Sequence, residues 1–241
     1  MLIDALHRAK SYPYKIPARS YVIAGNQYEE LAIGAPMPDL SGRRPVIAVG
    51  SNQSPEQLIR KFKEADWGAI PVLRARLKDF DIVYSAHVAS YGSIPATLRH
   101  SPGTRVSLFV NWLTPKQEIR MHETEVSTTN YLFGKLDDIE LDLDLGLALT
   151  SAFVYTSRRG VLLHEGHPVA LKAIKAENRV WSALYQEEIQ NHARDRLAPD
   201  QPLDDFIHAA IADASIRQRR TEELMSNSVA FNYPGFTPIE V

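Results

Sequence analysis

Val46-Ile47-Ala48-Val49-Gly50-Ser51-Asn52-Gln53-Ser54-Pro55-Glu56-Gln57 reads as a buried strand, a tight loop and the first turn of a helix. Val46 to Val49 is a short apolar run of the kind that fills a strand buried on both faces, and Gly50 permits a turn with positive φ. Ser54 stands as an N-cap, Pro55 suits the first helical position, and Gln57 sits where a capping box takes Glu or Gln. Leu58, Ile59 and Phe62 follow at helical spacing, which predicts a helix from Pro55 to about Glu64. A Gly-Ser-Asn loop at a helix N-terminus presents main-chain N–H groups without partners of their own, and the aligned peptide dipoles favour negative charge there. Such a loop holds a carboxylate, a phosphate or a developing oxyanion; the plainer reading is a well-capped strand-to-helix connection. It is neither a dinucleotide fingerprint nor a P-loop, since the glycine spacing and the Gly-Lys-Ser/Thr ending are both missing.

Outward from this stretch, residues 1–44 are rich in Pro, Tyr and polar residues and read as an N-terminal arm packed on the core, with Tyr12-Pro13-Tyr14 and Pro36-Met37-Pro38 interrupting any periodicity. Residues 45–169 read as the core domain. Short strands are expected at Val46 to Val49, Val72 to Leu77, Ile82 to Ala89, Ala96 to Leu98, Val106 to Trp112 and Tyr131 to Lys135, and a strand-turn-strand over Ala152 to Val169 turns at Glu165-Gly166. Strands with inserted helices but no strict βαβ alternation predict an α+β fold with a small mixed β-barrel-like core. Residues 170–241 read as a helical C-terminal extension, a pair of amphipathic helices over about Leu171 to His192 and Leu203 to Met225, free to pack on each other, on the core or as a homodimer contact.

Composition narrows the classes. The 241 residues suffice for a sizeable core without cross-links, and the absence of cysteine removes disulfides, thiol nucleophiles and thiolate metal sites. A formal net charge of -2 argues against nucleic-acid binding as the main activity. No signal-peptide h-region and no run of about 18 apolar residues is found, so the expectation is a cytoplasmic protein without a membrane span.

The second informative stretch is Leu113 to Val126, followed by Asn130-Tyr131. Thr114, Pro115 and Gln117 repeat the cap, proline and capping-box pattern, so a short helix starts there. If it continues to Glu125, then Glu118, Met121, His122 and Glu125 share one side. Glu125 would stand at the C-terminal end, where the helix dipole disfavours a carboxylate, and shielding by Met121, Val126 and Tyr131 would disfavour its charge further. Those are the conditions for a general base working near neutral pH; the alternative is a solvated acidic face formed by Glu118, Glu123 and Glu125.

Taken in order, the strand, Gly-Ser-Asn loop, capped helix, Ile94-Pro95-Ala96-Thr97-Leu98, Pro102-Gly103, short helix ending in Glu125, and Tyr131 resemble the γ-glutamylcyclotransferase-like family. The resemblance runs from about Val46 to Lys135. Typical members carry a Tyr-Gly-Ser-Asn loop after the first strand and a Leu-Asp-x-x-Glu-Gly element whose Glu is the catalytic acid/base. Gly50, Ser51 and Asn52 match the loop, Met121 to Val126 falls on the acidic element, and Tyr131 sits near a tyrosine of the pattern. The departures are Val49 for the loop tyrosine, Met121-His122 for Leu-Asp, and Val126 for the glycine; a second Tyr-Gly-Ser at Tyr91 to Ser93 lacks the Asn. The resemblance implies a cyclotransferase acting on a small γ-glutamyl amide or peptide. In that reaction the substrate's own α-amine attacks its γ-carbonyl to give 5-oxoproline and a free amine, without a cofactor. Glu125 would be the acid/base, with Gly50, Ser51, Asn52 and Tyr131 binding substrate. The competing expectation is a non-catalytic ligand-binding or assembly protein on the same fold.

Other motifs carry plainer expectations. His164-Glu165-Gly166-His167 lacks the spacing of the His-Glu-x-x-His zinc helix, and no metal site is expected. Arg217 to Arg220 reads as a solvated basic face, Trp181 and Tyr185 as core or interface residues, and Phe231, Tyr233 and Phe236 as anchors of a docked tail.

Overall fold

The computed structural model describes residues 2–125 and 130–241, with side chains from Asp4 onward. Helix α1 (Leu2–Lys10) precedes a hairpin of β1 (Tyr21–Ala24) and β2 (Gln27–Glu30). Then come β3 (Arg44–Ala48), α2 (Pro55–Phe62), β4 (Ile70–Tyr84), β5 (Ala96–Leu113), α3 (Pro115–Glu125) and β6 (Tyr131–Leu136). The chain continues through β7 (Leu141–Leu143), β8 (Ala148–Leu149), β9 (Ala152–Ser157), β10 (Val161–His164), α4 (Gln186–Leu197), α5 (Leu203–Ala212) and α6 (Ala214–Met225). The main sheet is ordered β4-β5-β3-β9-β6 and continues to the C-terminal strand Phe236–Pro238, with β3 and β9 parallel. The fold is mixed α+β, one large sheet with helices, and the sheet shows no barrel closure among the described residues.

The centre of the sheet explains the first sequence motif. β3 alternates between two apolar clusters: Val46 packs with Leu58, Phe62, Phe109, Met121, Phe133 and Tyr155, whereas Ile47 packs into the larger cluster on the other face. Helices α2 and α3 therefore cover the same side of the sheet. Leu58 and Phe62 from α2 are almost wholly buried there, each contributing roughly 1.5–3 kcal/mol of hydrophobic stabilisation. The caps of the two helices differ. At α3 the box forms, with Thr114 N donating to Gln117 Oε1 (2.9 Å) and Gln117 N to Thr114 Oγ1 (3.3 Å). At α2 the expected box does not form: Ser54 makes no side-chain cap, and Gln57 Oε1 accepts from Arg60 instead.

Two expected strand pairs are single long strands. In place of the separate strands expected at Val72 to Leu77 and Ile82 to Ala89, β4 runs through both with a bulge between Lys78 and Phe80. Asp79 there has φ 62°, and its Oδ1 accepts from Gly103 N at 2.7 Å, so Asp79 and Pro102-Gly103 shape a bulge across the ribbon. Ala96 to Leu98 and Val106 to Trp112 fuse likewise into β5. β4 stops at Tyr84, short of Ala89.

The expected helix from Leu171 to His192 is corrected to α4 alone, starting at Gln186. Residues before it form two-residue strands, Ala170–Leu171 beside Ala183–Leu184 and Ala176–Glu177 beside β5. Asn178 at φ 53° breaks the helical path, and Arg179 reaches fully buried Asp81 through two hydrogen bonds of 2.8 and 2.9 Å. That tertiary pairing overrides the local periodicity. The expected helix from Leu203 to Met225 is two helices, broken at Asp213, whose Oδ1 caps α6 by accepting from Ser215 N and Ile216 N. Phe206, Ile207, Ala210 and Leu224 from these helices fill the larger core cluster. Arg220 is not a solvated residue: it is buried, donates to Phe206 O at 2.6 Å and lies over the Phe206 ring. The aromatic tail docks on its own chain, with Tyr233 edge-on to Phe80 and Phe236–Pro238 paired with β6. No described helix is long and apolar enough to cross a membrane.

Candidate functional site

Because α2 and α3 lie side by side over β3, the turn that leads into α2 and the last turn of α3 open onto one cavity of about 830 Å³. Gly50, Ser51, Asn52, Glu125 and Tyr131, the five residues expected from sequence, all line it. Residues Ser51–Gln53 form a single 3-10 turn whose hydrogen bonds, Gln53 N to Gly50 O (3.1 Å) and Ser54 N to Ser51 O (2.9 Å), use none of the N–H groups of residues 50–52. Those three N–H groups are the ones that the start of a helical turn leaves unmatched.

Gly50 is needed for a different reason from the one expected. Its φ is -143°, not positive. What requires glycine is close approach: a Cβ at this position would overlap Tyr12 Oη and stand 3.1 Å from Tyr12 Cζ. Tyr12 enters the cavity from the segment after α1 and accepts a hydrogen bond from Ala96 N (2.9 Å), while Tyr131 donates to Ala96 O (3.4 Å). Both hydroxyls are raised above their ordinary tyrosine values, by burial first and by the Glu125 charge in addition, so they remain neutral donors or acceptors.

Glu125, mostly buried, accepts at Oε1 from Asn52 Nδ2 (3.1 Å) and forms an ion pair with the Lys61 ammonium from α2. The expected shielding by Met121, Val126 and Tyr131 is therefore not the whole setting, because α2 places a cation against the carboxylate. Met121 lies beside the pair, its sulfur 3.7 Å from Lys61 Nζ; Val126 lies outside the described residues. Glu118, Met121, His122 and Glu125 do share the inward side of α3, and Glu118 is not on a solvated face: it is buried, held by Arg44 (2.8 Å) and His122 (3.3 Å). Of the three acidic residues, Glu123 alone is exposed.

Sequence reasoning missed Lys61, Tyr12 and His87, all of which line the cavity. Lys61 left a trace: with Gln57 four residues before it, it puts polar groups one turn apart next to the buried stripe of Leu58 and Phe62. His87 stood alone in an apolar run. Tyr12 gave no local signal, since its position depends on how the first helix packs. His164 and His167 face each other across a β-pair, and no group of three His, Asp or Glu side chains suited to a metal exists among the described residues.

No protein-family profile matches the chain, and no curated protein sequence does. Among solved structures, the chain is similar to one described as a gamma-glutamyl cyclotransferase, at 15% identity over 80% of this chain and 92% of that one, with a TM-score of 0.39. It is similar also to an uncharacterized protein from Homo sapiens, at 13% identity over 81% of this chain and 93% of that one, with a TM-score of 0.41.

Proposed function

We propose that the cavity is the active site of a γ-glutamylcyclotransferase-like enzyme, which converts a small γ-glutamyl amide or peptide to 5-oxoproline and a free amine. The observation that supports this most is the contact of Asn52 Nδ2 with Glu125 Oε1, which joins the turn's N–H groups and a carboxylate on one cavity wall. In this reading the Glu125 carboxylate takes a proton from the substrate's α-ammonium. The freed amine nitrogen attacks the γ-carbonyl carbon, forming the new C–N bond and a tetrahedral oxyanion. Collapse breaks the original amide C–N bond as Glu125 returns the proton to the departing amine, and the ring nitrogen sheds its remaining extra proton to solvent to leave the neutral lactam. Proximity of amine and carbonyl within one molecule supplies much of the acceleration, so the chemistry draws on no group beyond the chain and its substrate. Gly50, Ser51 and Asn52 N–H groups hold the oxyanion or the substrate carboxylate, Tyr131 packs against the substrate, and Lys61 with Asn52 fixes the Glu125 rotamer.

A second reading, a ligand-binding or assembly protein on the same fold, is favoured by the Lys61–Glu125 ion pair, because a carboxylate already neutralised by a cation can serve as a binding wall without doing chemistry. Product analysis separates the two. Incubated with a panel of γ-glutamyl dipeptides, the cyclotransferase releases 5-oxoproline and free amino acid in equal amounts. Release of glutamate instead would mean hydrolysis by water, and no turnover of any member would leave the binding protein.

A further inference from the structure

Behind the cavity wall, Ser157, Ser85 and His87 form a buried hydrogen-bonded chain. Arg159 N donates to Ser157 Oγ (3.0 Å), Ser157 Oγ lies 2.6 Å from Ser85 Oγ, and Ser85 Oγ lies 2.8 Å from His87 Nδ1. Among the described residues the Ser157 hydroxyl proton has one acceptor in reach, Ser85 Oγ, since the contact with Arg159 N can only be accepted. The Ser157 proton is therefore directed to Ser85 and that of Ser85 to His87 Nδ1. Reversing the order would leave the Ser157 hydroxyl proton in a buried setting with no acceptor among the described residues, which is unfavourable. Nδ1 is therefore an acceptor, and the ring proton sits on Nε2.

The backbone holds this ring in place. Ser85 N donates to Pro95 O (2.7 Å) and His87 N to Ser85 O (2.8 Å), so residues 85–87 form a tight turn at the end of β4. The imidazole is edge-on to Tyr131, 5.8 Å between ring centres, and lines the same cavity as Glu125. With Nδ1 turned to Ser85, the Nε2 edge is the one left for the cavity. Burial, with the Arg159 charge in addition, pushes the imidazole down to about 3, and it stays neutral across the physiological range.

We propose that His87 donates its Nε2–H to a carbonyl or carboxylate oxygen of the ligand bound beside Tyr131, and so selects an acceptor at that position. A ligand presenting an ammonium or amide N–H there would face a second donor and be rejected. The proposal rests on the cyclotransferase reading, which supplies 5-oxoproline as the probe. Long-range 1H–15N spectra of protein labelled with 15N-histidine report the tautomer directly. Expected are a neutral His87 protonated at Nε2 between pH 6 and 8, and a shift of its Nε2–H signal on adding 5-oxoproline. His87→Phe, which keeps a ring against Tyr131, weakens 5-oxoproline binding about tenfold, whereas His87→Gln, which restores an N–H, stays within about threefold of wild type. An Nδ1-protonated ring or an imidazolium overturns the proposal. So does a titration in which 5-oxoproline shifts the Asn52 and Lys61 amides and leaves Nε2–H unmoved, an outcome that spares the cyclotransferase reading. If 5-oxoproline perturbs no residue of the cavity, both fall together.

Discussion

Replacing Gly50 with alanine tests whether the loop glycine serves a close approach. In the native chain the added Cβ overlaps Tyr12 Oη, and Tyr12 is buried with its hydroxyl held by Ala96 N, so it has little room to retreat. Overpacking of this kind costs about 1–3 kcal/mol, and moving Oη away from Ala96 N adds about 1–3 kcal/mol for the stranded donor. Stiffening the unfolded chain returns about 0.5–1 kcal/mol, so Gly50→Ala should destabilise by roughly 2–4 kcal/mol net. In a Tyr12→Phe background the overlapping oxygen is gone. The nearest atoms are then Cζ at 3.1 Å and Ala96 Cβ at 3.5 Å, which a shift of a few tenths of an ångström accommodates. The same alanine should then cost about 1 kcal/mol or less. Urea unfolding of the four proteins of this double-mutant cycle measures the coupling, expected at about 1.5–3 kcal/mol. Equal costs in the two backgrounds, within about 0.5 kcal/mol, would refute the close-approach argument.

Three further outcomes follow from buried charge, capping and protonation. Arg179→Ala leaves the fully buried Asp81 carboxylate without its cation and should cost about 3–5 kcal/mol by urea unfolding. Asp213→Ala removes the cap that accepts from Ser215 N and Ile216 N, with an expected loss of about 1 kcal/mol and faster amide exchange confined to the first turn of α6. His87 is neutral when folded down to about pH 3 but titrates near 6.5 when unfolded, so the unfolded chain binds the extra proton between these values. Its stabilisation is complete above pH 6.5 and declines as pH falls, by about 1.4 kcal/mol per pH unit well inside that window. Unfolding of wild type and His87→Gln at pH 6 and pH 5 should show the slope shallower in the variant by close to that amount; parallel slopes would mean that His87 is protonated in the native state.

The sequence made the local parts of the site readable because their signals are local. The Val46 to Gln57 stretch carries the signals of strand, turn and helix, and Thr114, Pro115 and Gln117 mark the start of the helix that runs to Glu125. Arrangement that depends on distant packing was not readable. Asp79 and Gly103 have the composition of turns, yet their hydrogen bond across the ribbon makes a bulge. The periodicity after Val169 looked helical, but the Arg179–Asp81 pair holds that segment in short strands. Lys61 and Glu125 are 64 positions apart and meet because Val46 carries α2 and α3 onto one face of β3. Tyr12 and Gly50 touch through the docking of the N-terminal helix, for which no spacing rule exists.

If Glu125 moves the proton in a cyclisation carried out in this cavity, Glu125→Gln removes the group that does so. Glutamine keeps nearly the same volume and an oxygen for Asn52 Nδ2 and the Lys61 ammonium, but it removes the charge that pairs with buried Lys61 and so lowers stability; the unfolding midpoint therefore sets the temperature at which the folded variant is assayed. With a γ-glutamyl dipeptide that the wild type converts, 5-oxoproline formation should fall by about 10²–10⁴-fold in the folded variant. A folded Glu125→Gln protein that forms 5-oxoproline within tenfold of the wild-type rate would contradict that role for Glu125.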